Sequence, residues 1–194
     1  MLRFYYKEEV REAATTIIPA LLNCCKKYSE KNNGQGVQHL HQVWQKTLNM
    51  FVDALANESE LDILLTQVDC FQESINLAGP DAMKPEDLSK INNLVIQLFS
   101  DVFERRKRRE DSRRDPDFDE QDERRVSKNN KKDGYVSIGL GEIIGKTFRH
   151  YGARYLPIFQ NDCGDFVKRL IHQDVRSFTS LFFSLLLKSS FSFL

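Results

Sequence analysis

The sequence has few of the residues that build disulfide-rich, metal-binding or secreted proteins. Its four cysteines include no C-x-x-C pair and have no ligand-like spacing to the four histidines, which argues against a disulfide framework and a zinc site. The first ten residues, MLRFYYKEEV, contain no apolar signal-peptide core, so secretion is not supported. We therefore expect a reducing compartment, with no metal and no other cofactor.

An excess of charge of either sign is also absent. The 28 basic and 28 acidic residues cancel, so the chain has no overall field that would attract nucleic acid or an anionic membrane, and we expect neither as a partner. No segment alternates apolar and polar residues between turn signals, so no β-strand is predicted. A hydrophobic content of 41% is enough to form a core and excludes disorder throughout.

Helical periodicity is the dominant pattern. Apolar residues recur every three or four positions at 10–28 and at about 40–55, 61–78, 88–102 and 136–151, and a sixth stripe begins at 155–159. This spacing is typical of amphipathic α-helices, so the fold class is all-α. No helix precedes the stripe at 10–28 to cover it, which we expect of a piece of a longer array.

The helices recur as units. Those that begin near residues 10, 61 and 136 resemble one another as the second members of antiparallel pairs, at intervals of about 50 and then about 75 residues, as in an array with one insertion. We predict a HEAT-repeat α-solenoid of stacked antiparallel helix pairs, a fragment of a longer superhelix. Its parts are HEAT-type helix pairs (1–103), a charged, partly disordered insertion whose first part is helix and whose remainder is loop (104–133), HEAT-type helices (134–160) and an atypical apolar C-terminal tail (161–194).

The segment GLGEIIGKT at 139–147 is similar to a phosphate-binding loop. Its glycines are separated by five residues or by three, whereas that loop needs four. Because its two isoleucines fit the buried stripe of a helix, we favour close helix packing, with ATP binding through Gly145, Lys146 and Thr147 as the alternative. No nucleophile and base form a known motif, so we predict no catalytic residues and no enzyme.

The charged insertion contains the candidate partner-binding residues. Its basic run ERRKRRED at 104–111 could bind nucleic acid, but it is also what a solvated helix end looks like. Its acidic run lacks the glycine and the distal glutamate of a calcium loop, so a basic protein partner is favoured over a metal. Neutralisation by the flanking arginines is favoured over both. The candidates are Asp117, Asp119, Glu120, Asp122, Glu123, Arg105, Arg106 and Arg108.

Two apolar features have competing interpretations. Trp44 could stack on a partner, but its register with Leu40, Leu48 and Phe51 predicts a core position. The end of the tail, SFTSLFFSLLLKSSFSFL at 177–194, is interrupted by Lys188 and by serines. It falls short of the roughly 20 apolar residues that a membrane span needs, so we interpret it as a truncated or mistranslated chain end.

Four segments in order carry a family resemblance: VREAA at 10–14, HLHQVWQKTLNMFVDAL at 39–55, DFDEQDE at 117–123 and GYVSIGLGEIIGKTFRHYGARYLPIF at 134–159. Together they resemble the importin-β (karyopherin-β) nuclear transport receptors from about Leu2 to Gln160, and the likeness fades beyond that point. One departure is RRVSKNNKK at 124–132, where close relatives stay acidic.

The resemblance implies a non-enzymatic receptor segment. Its expected partners are protein cargo with basic import signals, the GTPase Ran, which would act through the parent protein, and nucleoporins. Its expected location is the cytoplasm and the nucleus. The alternative is a generic HEAT-repeat scaffold of a cytoplasmic complex that does not bind Ran.

Overall fold

The structure is a computed structural model that describes residues 8–31 and 37–172. Within those ranges the chain forms six α-helices and one short 3-10 turn, and no β-strand occurs there. The helices are α1 (Glu8–Lys31), α2 (Val37–Asn57), α3 (Leu61–Ala82), α4 (Pro85–Ser112), α5 (Glu120–Tyr151) and α6 (Leu156–His172), and the 3-10 turn (Gly152–Arg154) joins α5 to α6. The all-α prediction is confirmed.

The helices form two layers. In one layer α3 packs between α1 and α5, and in the other α4 packs between α2 and α6. The layers are joined because α2 packs against α3 and α4 packs against α5. Successive antiparallel pairs therefore stack side by side, as predicted for a HEAT-repeat solenoid, with α1, α3 and α5 as the second helices.

The apolar stripes meet between the layers and form one continuous core. Trp44 on α2 is fully buried there, which confirms its core assignment. Beside it, the rings of Phe51 on α2 and Phe71 on α3 lie 5.0 Å apart between centroids. This contact lies in the range in which aromatic pairs stabilise a core beyond the area that they bury.

A buried polar contact fixes the start of α4 against α2. Asp87, in the first turn of α4, accepts hydrogen bonds from Gln45 Nε2 at 2.5 Å and from the backbone N–H of Lys84 at 2.9 Å. Pro85 occupies the first turn, where its missing N–H leaves no hydrogen bond unmade. The carboxylate therefore caps α4 and links it to the preceding helix pair.

The charged insertion differs from the prediction. We expected a loop after its first part, but α4 continues to Ser112 and α5 already begins at Glu120, so the link between the helices is confined to 113–119. Asp119 caps α5, since its side chain accepts a hydrogen bond from the N–H of Asp122 at 2.9 Å. Periodicity failed here because charged contacts between the two helices, rather than an apolar stripe, stabilise them.

Toward the C-terminus, α6 runs through Gln160 without interruption. Phe148 of α5 packs edge-on against Tyr155 and Phe159, with ring centroids 4.6 Å and 5.3 Å apart. The apolar stretch at 177–194 lies outside the described residues. Among the helices that the structure describes, none combines the length and the hydropathy needed to cross a bilayer.

Candidate functional site

The candidate site is the charged hairpin, which we define as residues 104–133: the end of α4, the link 113–119 and the first turns of α5. Val126 is buried among residues 120–132, and the other side chains there are exposed or half-buried. The hairpin is therefore stabilised mainly by polar and ionic contacts, which place its charges at defined positions.

A buried carboxylate joins the base of the hairpin. Asp133 on α5 is fully buried, and its Oδ1 accepts hydrogen bonds from Arg105 Nε and Nη2 at 3.2 Å and 3.0 Å. Arg109 Nη2 bonds to the other oxygen. The two arginines are four residues apart on α4 and so lie on one helix face. A buried carboxylate needs such partners, because leaving it unpaired would cost several kcal/mol.

Asn130 extends this contact by one turn. Its side-chain oxygen accepts a hydrogen bond from Arg109 Nε at 2.9 Å, and its backbone carbonyl accepts one from Arg106 Nη2 at 3.3 Å. Arg108 is exposed, and its carbonyl accepts a hydrogen bond from the Ser112 hydroxyl at 2.9 Å. Arg105 and Arg106 therefore pack inside the hairpin, while Arg108 faces solvent.

At the tip the charges pair at the surface. Arg113 forms a two-pronged pair with Glu123, at 2.9 Å from Nε and 2.5 Å from Nη2. Arg124 pairs with Glu120 at 2.6 Å, one turn apart on α5, and both side chains are about four-fifths exposed. Exposed pairs of this kind contribute at most about 1 kcal/mol each, so a charged partner can compete for these side chains.

Two surface clefts flank these pairs. The tip cleft, of about 400 Å³, lies between the helices and includes carboxylates, arginines and the ring of Phe118; its lining is Arg109, Ser112, Asp115, Asp117, Phe118, Asp122, Arg125, Val126 and Asn129. The outer cleft, of about 610 Å³, lies along α5 and is lined by Glu120, Glu123, Arg124, Ser127, Lys128 and Lys131. Both are open surfaces suited to an extended charged segment rather than to a small apolar ligand.

The glycine-rich segment at 139–147 is part of the interior of α5. A Cβ built at Gly139 would lie 2.5 Å from Val68 Cγ1 on α3, so the absence of a side chain permits this helix contact. Gln72 on α3 donates to the Gly139 carbonyl at 3.2 Å and accepts from Lys146 Nζ at 2.6 Å. Close helix packing, the favoured interpretation, is confirmed.

Residues 63–172 match a protein-family model described as Importin repeat 6. This match covers more than half of the chain and falls on the stacked pairs from α3 to α6. The chain belongs to the importin-β family. The importin repeat is a transport-receptor scaffold, and here its match extends past Gln160 to residue 172. Our expectation that the likeness fades beyond Gln160 is therefore wrong for the rest of α6.

Within this importin repeat, the eight candidate residues occupy five environments. Asp117 and Asp122 share the tip cleft, and Glu120 and Glu123 share the outer cleft. Asp119 caps α5. Arg105 and Arg106 bond across the hairpin, and Arg108 points to solvent. The structure therefore brings four of the five carboxylates together in two pairs and separates Arg108 from Arg105 and Arg106.

Sequence reasoning missed the residues that organise the hairpin. Asp133 and Asn130 lay in the segment that we interpreted as loop, and Arg109 was not among the candidates, although it bonds to both. The available signal was the spacing of Arg105 and Arg109, which face the same way on a helix. Their partner lies more than 20 residues later, so local spacing could not identify it.

The importin repeat contains two buried cysteines, Cys70 and Cys163. Burial, with nearby Glu73 and Asp69, raises the pKa of Cys70 to about 11, and burial with Asp162 raises that of Cys163 to about 12. Both thiols are therefore protonated at neutral pH, and only the thiolate is a strong nucleophile. No group of three or more His, Cys, Asp or Glu residues in that part could coordinate a metal ion.

Proposed function

We propose that this chain is a segment of a nuclear import receptor that binds protein cargo with basic import signals. The observation that supports this most directly is the match of the importin repeat to residues 63–172, on helix pairs that stack into an extended surface. The order of its four sequence motifs suggests importin-5 as the nearest receptor. We further propose that the parent protein releases cargo when it binds Ran-GTP, contacts nucleoporins and moves between cytoplasm and nucleus.

The tip cleft of the charged hairpin is the proposed contact for a basic segment. Asp117 and Asp122 line it beside Phe118, so a Lys or Arg side chain could meet two carboxylates and an aromatic ring in one place. Asp119, Glu120 and Glu123 add negative charge at the start of α5. Arg105 and Arg106 shape the hairpin, and exposed Arg108 is available for an acidic residue of the partner.

A peptide-binding assay tests this role. A fluorescent peptide with a basic import signal should bind the chain, and the affinity should fall as ionic strength rises, since exposed charges are screened. The variant D117N/D122N should bind about tenfold more weakly, as expected when a charge-assisted contact is lost. Equal affinity for this variant and the native chain would contradict the cleft assignment.

A matched control separates local from general electrostatics. Glu12 and Glu30 are exposed carboxylates on α1 and do not belong to the hairpin, so E12Q/E30Q changes the net charge by the same amount as D117N/D122N. We expect this control to bind as the native chain does. If both double variants weaken binding equally, the peptide senses overall charge rather than the tip cleft.

The alternative function, a HEAT-repeat scaffold of a cytoplasmic complex, differs in its response to Ran. The test uses a longer chain that carries N-terminal importin repeats, because regulation is proposed through the parent protein. GTP-locked Ran should displace bound import-signal peptide, whereas GDP-bound Ran should not. Capture of the peptide without displacement by either form would favour the scaffold.

A further inference from the structure

A second feature of the charged hairpin is a pair of arginines that precedes a serine. Residues 124–127 read Arg-Arg-Val-Ser, so two cations stand three and two positions before a hydroxyl group. Serine/threonine kinases with carboxylates in the substrate groove select such upstream arginines, because each can form a charge-assisted, two-pronged hydrogen bond with a carboxylate. The segment directly follows the acidic stretch at 117–123.

Ser127 is accessible on the surface. Its side chain is exposed, as are those of Arg124 and Arg125, and it lies in the outer cleft beside Lys128 and Lys131. Among the contacts that the described residues make, none involves the Ser127 hydroxyl. Among the side chains of the motif, Arg124 makes a surface pair, with Glu120, that a kinase would have to displace.

The local helix is also easy to open. A kinase groove binds its substrate in an extended form, so the turns around Ser127 must unwind. Among residues 120–132, Val126 is the buried side chain, and the nearby ion pairs of Glu120 and Glu123 are at the surface. Segments with few buried apolar contacts open locally at a free energy well below that of global unfolding.

We propose that Ser127 is a phosphorylation site for a basophilic serine/threonine kinase that uses ATP. In this reaction Ser127 Oγ forms a bond to the γ-phosphorus and the bond from that phosphorus to the β–γ bridging oxygen breaks. ADP then leaves, and the hydroxyl proton passes to the kinase's catalytic carboxylate. The proposal does not depend on the receptor function, because it concerns the motif and its exposure.

The modification reverses the charge of the outer cleft. Three cations (Arg124, Lys128, Lys131) and two carboxylates (Glu120, Glu123) line it, and a phosphate adds about −1.5 to −2 at neutral pH. Arg124 and Lys131 lie one helical turn on either side of Ser127 and can pair with the phosphate. The outer cleft therefore changes from net positive to net negative.

The test treats the folded chain with the catalytic subunit of cAMP-dependent protein kinase and Mg-ATP, followed by intact-mass and phosphopeptide analysis. We expect one phosphate per chain, located at Ser127 and lost in S127A. The variant R124Q/R125Q should be modified about tenfold more slowly, since charge-assisted contacts to the kinase are lost. S112A should be modified as the native chain is, although exposed Ser112 also follows two arginines.

A peptide that spans residues 120–131 provides the comparison that makes each result decisive. Modification of the peptide but not of the folded chain would overturn the proposal, because α5 would then protect Ser127. Modification of neither would overturn it, because the motif would not be recognised. Incorporation that persists in S127A would also overturn it. Far-UV circular dichroism of S127A, expected to equal that of the native chain, excludes unfolding as the cause of any loss.

Discussion

Gly139 on α5 lies against Val68 on α3 so closely that a Cβ at Gly139 would be 2.5 Å from Val68 Cγ1. Val68 is β-branched and sits in a helix, so its side chain has little freedom to move aside. We expect G139A to lower the free energy of unfolding by about 1–2 kcal/mol, because overpacking outweighs the better helix propensity of alanine. Urea denaturation measures this change.

Two further variants isolate the cause. Gly134 lies on the same helix, but a Cβ there meets its nearest neighbour, Arg106 Nη2, at an ordinary 3.6 Å. G134A should therefore raise the free energy of unfolding by up to about 1 kcal/mol. In a V68A background G139A should no longer destabilise the chain. Equal effects of G139A with and without Val68 would show that the contact is not the reason.

The buried Asp133 should be the residue of the charged hairpin that matters most for stability. D133N leaves Arg105 and Arg109 without their carboxylate, and removing one member of a buried ion pair costs about 3–5 kcal/mol. Both arginines keep some solvent contact, with 27% and 16% of their side chains exposed. We therefore expect a loss of about 2–3 kcal/mol in urea denaturation, below the range for fully buried pairs.

The matched control breaks an exposed pair of the same hairpin. Glu123 and Arg113 bond at the surface, with 48% and 38% of their side chains exposed, so E123Q should cost less than about 1 kcal/mol. If D133N and E123Q were equally mild, the base of the hairpin would not be stabilised by its buried carboxylate.

Acid should lower the stability of the folded chain through protonation of His150 on α5. Burial, followed by the charges of Arg149 and Lys26, lowers the pKa of His150 below its ordinary value of 6.5. The unfolded chain therefore binds a proton at this histidine more readily than the folded chain does. The stability that neutral His150 contributes is fully present above pH 6.5 and is lost as pH falls toward the folded pKa. We expect the urea midpoint to decrease between about pH 7.5 and pH 5.5.

The comparison of H150Q with H39Q tests this assignment. Both variants remove one histidine, but His39 is exposed on α2. The decrease in the urea midpoint over the acid range should be smaller in H150Q than in H39Q. Identical pH profiles for the two variants would mean that another group causes the acid sensitivity.

Local periodicity predicted most of the fold but only part of the site. Leu40, Trp44 and Leu48 identified the buried face of α2 because residues four apart meet on a helix. The start of α5 could not be found in this way, since Glu120 to Lys132 bury one valine and depend on partners on α4. Arg105 and Asp133 are 28 residues apart, and their pairing is defined only once the two helices pack.

The reliance on local sequence also explains why the candidate residues include both inward-facing and solvent-facing charges. The acidic and basic runs directed attention to the charged hairpin as a unit, but composition does not tell which charges face inward. Arg105 and Arg108 are equivalent in the sequence, yet one bonds to a buried carboxylate and the other faces solvent. A helical wheel anchored on Val102, which is fully buried, separates them once α4 is known to extend to Ser112.

The contact between Gly139 and Val68 also has a mechanical consequence for the stack. At this contact the backbone of one second helix touches a side chain of the other, so the two helices cannot move closer together and the contact acts as a fixed pivot. Any bending of the array at this level must then increase or decrease the distances between the helices of the other layer, α2, α4 and α6. A change of curvature at this point is then a rotation of neighbouring helix pairs about Gly139 rather than a uniform extension of the whole array.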